Sequence, residues 1–97
     1  MPVYLVTPLS NNAAAIKVAV VSKVPEQDCH ELQGDAGWLV YSQGTSVEIS
    51  NLIGITTPEG KPTAGLGSAM VTSIGAYYGL ASTAMWEWLK TRFERSA

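Results

Sequence analysis

The chain has one histidine and one cysteine, and they are neighbours in Asp28-Cys29-His30-Glu31. Thiolate, imidazole and carboxylate are the donors a divalent cation takes, and a thiol beside an imidazole is the pairing of cysteine nucleophiles. The spacing works against both. Consecutive residues of a strand point to opposite faces, so no more than two of these side chains reach one ion. Structural zinc sites use four ligands at spacings such as C-x2-4-C, and no second cysteine or histidine is present to complete a set. The same alternation separates the Cys29 thiol from the His30 ring unless the imidazole comes from a second copy. The segment is expected to be ordinary polar surface, with no metal and no catalytic thiol.

The glycines offer a second candidate. Gly54-x5-Gly60-Lys61-Pro62 approaches a phosphate-binding loop, in which backbone N–H groups cradle phosphates and the lysine reaches them. The motif proper, G-x4-G-K-[ST], is one residue shorter, carries a hydroxyl where Pro62 stands, and opens a helix. Gly65-x-Gly67-x-x-Met70 lacks the third glycine of a dinucleotide fingerprint and leads into a strand. Ser68, Ser73 and Ser82 have only His30 to activate them, and no G-x-S-x-G elbow occurs. Glu26 with Asp28, and Glu31 with Asp35, fall in a polar connection where solvated charge is the ordinary state. No catalytic residue, cofactor or small-molecule ligand is expected, and the chain does not read as an enzyme.

Charge narrows the partners. The bases Lys17, Lys23, Lys61, Lys90, Arg92 and Arg95 are outnumbered by eight acids, for a net charge of −2. Residues 26–60 hold six acids and no lysine or arginine. Broad binding to nucleic acid or anionic membrane needs a basic footprint, which is missing. Only 14% of residues are charged, against about 25% in ordinary domains, so part of the surface is expected to face a partner. A second copy is the simplest one, since most oligomers are symmetric homo-oligomers. The 46% apolar share excludes disorder over most of the chain. Ninety-seven residues suit one core, so 1–97 are expected to form a single domain.

One cysteine leaves no internal disulfide and points to a reducing, cytoplasmic setting. Met1-Pro2-Val3-Tyr4-Leu5-Val6-Thr7-Pro8 has no basic n-region, so no secretory signal is expected. Residues 62–86 carry no charge and are nominally long enough to cross a bilayer, with Gly75 and Gly79 at small-xxx-small spacing. Pro62, the glycines and six serine or threonine residues there favour a loop, a strand and a helix start instead.

These residues need elements to position them. Val3 to Thr7 is a β-branched and aromatic run closed by Pro8, a buried strand. Ser10, Asn11 and Asn12 followed by Ala13-Ala14-Ala15 favour a helix over 13–24, although Ile16, Val18 and Val20 also alternate like a strand. Cys29–Leu32 can pair with the strand Gly37–Tyr41 across the turn Gly34-Asp35-Ala36-Gly37. Thr45-Ser46-Val47-Glu48 is a capping box, and Gly54 supplies the left-handed stop of a helix over 46–53. Residues 56–68 read as loop, and 69–78 as a strand covered on both faces. Ser82 caps a last helix over 83–95, whose Met85, Trp86, Trp88, Leu89 and Phe93 share one arc. The order β-α-β(β)-α-β-α predicts a small α/β (α+β) ferredoxin-like sandwich. Its sheet has three or four strands joined by parallel crossovers, with helices on one face.

Gly44-Thr45-x-x-Glu48-Ile49-x-x-x-Ile53-Gly54-Ile55, followed by Tyr77-Tyr78-Gly79-x-Ala81-x-x-x-x-Trp86-Glu87-Trp88-Leu89, resembles small stand-alone bacterial or phage proteins of uncharacterised function. The likeness covers roughly the C-terminal half, and its motifs are structural. The plan is also similar to the ferredoxin-like nucleases of CRISPR adaptation systems. Those hold a metal-binding aspartate at the end of the first strand, where this chain reads Thr7-Pro8-Leu9-Ser10.

The function expected from these residues is a non-enzymatic protein-interaction module that self-associates, as a cytoplasmic homodimer. Trp88 and Arg92 are its candidate interface residues, because Trp88 falls at the edge of the aromatic arc with Arg92 four residues on, while Trp86 packs inside. The second reading is a nucleic-acid-processing or nucleotide-binding protein of the ferredoxin-like group without the first-strand aspartate. A small membrane protein spanning 62–86 is the third.

Overall fold

The computed structural model describes residues 3–61, 65–75 and 82–96. The opening β-branched run forms β1 (Val3–Pro8), which extends through Pro8 rather than stopping before it. Pro8 is tolerated there because its ring nitrogen points away from β4 (Ala69–Ile74), while the next N–H, of Leu9, donates to the Ser68 carbonyl at 3.0 Å. The segment balanced between helix and strand is helical, as α1 (Ala13–Lys23), and Val24 before Pro25 is already extended. Next come the short β2 (Cys29–Glu31) and β3 (Trp38–Tyr41), then α2 (Ser46–Ile53), β4 and α3 (Thr83–Ser96).

The four strands lie in the order β2-β3-β1-β4, and every neighbouring pair is antiparallel. β1 is therefore central, with Leu5 opposite Leu39 on one side and Thr72 on the other. The helical crossovers do join parallel strands, β1 to β2 through α1 and β3 to β4 through α2. In each case an antiparallel strand is inserted between them, so no two neighbours are parallel. These two interleaved split β-α-β units make the sandwich ferredoxin-like.

Helices cover both faces of the sheet rather than one. The pleat sends Tyr4, Val6, Trp38 and Val40 to the face under α1 and α2, where they pack with Ile16, Val20, Ile49 and Ile53. It sends Val3, Leu39 and Tyr41 to the other face, under Leu89 and its neighbours Met85, Trp86 and Trp88. The side chain of Phe93, expected in the same arc, lies outside the described residues. Two polar contacts fix the helical layer. The Tyr4 hydroxyl donates to the Gly44 carbonyl at 2.6 Å, just ahead of the capping box. Asn12 stands at the N-cap of α1 without capping it. Its amide instead donates to the carbonyls of Leu66 (2.5 Å) and Ser68 (3.0 Å), tying α1 to the turn before β4.

Gly37 marks the tightest approach, with φ +145°, and a Cβ there would run into the Val6 carbonyl oxygen. The expected strand 69–78 is observed as Ala69–Ile74, and residues 76–81 lie outside the described residues. β4 is not covered on both faces, because it is an edge strand with Met70, Thr72 and Ser73 exposed. A strand therefore occupies the middle of the uncharged run 62–86. Among the described residues no helix is long and apolar enough to cross a membrane.

Candidate functional site

The hairpin β2–β3 places Cys29 and Glu31 on the α1 side of the sheet and His30 on the α3 side, as strand alternation requires. Glu31 reaches Lys17 of α1 at 3.2 Å. Burial, reinforced by the carboxylates of Glu26, Asp28 and Glu31, pushes the Cys29 thiol above its ordinary value. A thiol held protonated is a poor nucleophile and a poor ligand. Among the described residues no three His, Cys, Asp or Glu side chains converge as a metal ion would need.

His30 finds its partner on α3. Its ring centroid lies 6.1 Å from that of Trp88, tilted by 39°. The Arg92 guanidinium stands over the same indole, 4.7 Å from its centroid, and donates to the Gln27 carbonyl in the turn ahead of β2. Trp88 and Arg92, the expected interface pair, are thus both engaged within the chain, clamping α3 onto β2. Trp86 and Trp88 are each half-buried, because they straddle Leu89, which takes the centre of the contact. Trp86 is consequently less enclosed than its place in the arc suggests.

The glycine segments serve turns. Gly54 closes α2 in the left-handed conformation, and its N–H and that of Ile55 both return to the Ser50 carbonyl. Thr57 and Lys61 then pin a turn through Gly60. Among the described residues this loop runs from helix α2 to strand β4, the reverse of the strand-to-helix order of the phosphate-binding motif. At the end of β1, Thr7 faces Met70 and Pro8 faces Ala69, with no carboxylate in place.

The open surface lies elsewhere. β4 is an edge strand, and beside it α2 and the turn at 56–60 border a groove of about 320 Å³. Its walls mix Val47, Met70 and Val71 with the uncharged polar Ser46, Ser50, Asn51, Thr56 and Thr57. The Thr56 hydroxyl bridges Ser50 (2.8 Å) and Asn51 (2.6 Å), which holds the wall in shape. Sequence reasoning missed this surface. The available signal is the charge-free stretch across β4, which by itself reads as a strand covered on both faces. Compared with protein-family models, curated proteins and solved structures, the chain matches none.

Proposed function

We propose that the chain is a non-enzymatic protein-interaction module that associates with itself, working in the cytoplasm. The observation that carries this reading is the surface itself. Leu9, Val18, Val21, Val47, Leu52 and Met70 are each more than half exposed, in a chain with only fourteen charged residues among 97. Surface apolar side chains are common singly, but α1 is apolar nearly all round, with Ile16 and Val20 buried and Val18 and Val21 bare. Such a surface gains by covering itself. A single cysteine, half-buried and with no second one to pair with, fits a reducing compartment.

Sedimentation equilibrium across a wide dilution series tests the reading. A mass that rises toward twice that of the chain supports it, and a monomer throughout overturns it. The ferredoxin-like sheet order favours the second reading, a nucleic-acid-processing or nucleotide-binding protein without the first-strand aspartate, whose place is taken by Thr7 and Pro8. Cleavage of DNA or RNA by the purified chain with Mg2+ or Mn2+ would reverse the preference.

A further inference from the structure

Self-association needs a surface to close on, and the sheet ends in two edges of different character. β2 is three residues long, is bracketed by the 3-10 turns Glu26–Asp28 and Gln33–Asp35, and ends in the ion-paired Glu31. Shortness and charge are the features that blunt an edge against pairing. β4 runs for six residues with no charge and no proline, and among the described residues it pairs only with β1. The Leu9 N–H to Ser68 carbonyl bond sets the phase of that pairing. By antiparallel alternation, the backbone groups of Ser68, Met70, Thr72 and Ile74 face β1, and those of Ala69, Val71 and Ser73 face outward.

Two copies have three ways to join edges. β2 on β2 sets Glu31 and the neighbouring acids against their own copies. β2 on β4 lays an acidic strand on a neutral one and leaves an edge free at each end, which propagates into a fibre. β4 on β4 matches neutral edge to neutral edge and closes about a two-fold axis. We propose that the chain dimerises by antiparallel pairing of β4 with β4 of a second copy, centred on Val71, so that two four-stranded sheets become one. This rests on the self-association reading and names its surface.

In this register Val71 lies opposite Val71 of the second copy, and Ala69 lies opposite its Ser73. Each outward N–H and C=O of those residues then gains a partner. The axis stands perpendicular to the sheet, so the two α2 helices fall on the same face, on either side of the seam. The groove beside each β4 opens onto its twin, and Val47, 65% exposed in the single chain, borders the joint.

Ser73→Pro removes an outward donor without touching a bond to β1, and proline is accepted on the outer side of an edge strand. Sedimentation equilibrium is expected to show its dimer dissociation constant raised by about tenfold or more. In a Cys29→Ser background, Val71→Cys is expected to oxidise to a covalent dimer, since facing residues of such a pair lie within disulfide reach. Where circular dichroism finds Ser73→Pro unfolded, the cross-link decides. A folded Ser73→Pro dimer as tight as the wild type, or a Val71→Cys chain that stays uncross-linked while dimeric, overturns the seam and leaves self-association standing. A wild type monomeric at millimolar concentration overturns both.

Discussion

At the start of α2 the Thr45 hydroxyl accepts from the Glu48 N–H at 3.2 Å, while the Glu48 carboxylate accepts from the Thr45 N–H at 3.1 Å. Each bond satisfies a donor that the first helical turn leaves free. Thr45→Ala is expected to cost about 0.5–2 kcal/mol in chemical denaturation. This cap was legible in the sequence because all its partners lie within four residues. Asn12 was not, because its amide bonds to carbonyls more than fifty residues away. Cys29 carries a second expectation. Burial first, and then the nearby acids, raise its thiol above the ordinary value, so the folded chain holds that proton longer than the unfolded one. The stability it contributes is complete below the ordinary thiol value and is lost as pH climbs through the folded-state value. Between about pH 7 and about pH 10, wild type should therefore lose more stability than Cys29→Ala. Equal losses in parallel urea melts would refute this.

Among the elements, α3 depends most on side chains for its placement. Among the described residues it is the one helix on its face of the sheet, anchored by Leu89 at the centre and by Trp88 and Arg92 over β2. Trp88→Ala should destabilise by about 1–3 kcal/mol, less than the 3–5 kcal/mol of a fully buried tryptophan, because the ring is half covered. Arg92→Ala should cost about 0.5–1 kcal/mol as the cation–π contact goes. Both are expected to leave the dissociation constant of any dimer unchanged, which separates an internal clamp from an interface. The existence of the main elements was legible, since strand and helix periods are local, but the kind of α1 was not, because Ile16, Val18 and Val20 fit both periods. Which face α3 covers was not, since that depends on the path after β4. Nor was the insertion of β1 between β3 and β4, because strand order follows from non-local packing that no window of sequence contains. The exposed edge escaped notice for the same reason: a charge-free strand reads as buried until its neighbours are counted.

For the whole molecule, the two edges decide how far association goes and what governs it. With β2 blunted and β4 open among the described residues, the proposed pairing would have one available edge per chain and stop at two copies. Light scattering should therefore plateau at twice the chain mass with rising concentration, without a drift to larger species. The proposed seam has no charge from Ala69 to Ile74, so its strength would come from backbone hydrogen bonds and apolar contact. Salt acts on charges: raising it from about 0.05 to 0.5 M contracts the screening length from roughly 14 to 4 Å. Each chain carries a net charge of −2, so screening would relieve a weak mutual repulsion and slightly tighten the proposed dimer. The dissociation constant is expected to fall by no more than about threefold over that range. Val47→Asp changes the balance, because it sets two new carboxylates on the facing walls of the joined grooves. That variant should dimerise more weakly than wild type at low salt and recover part of the difference at high salt. A wild-type dimer that loosens steeply as salt is added would instead be held by ion pairs, and the bases on α1 and α3 would then mark its interface.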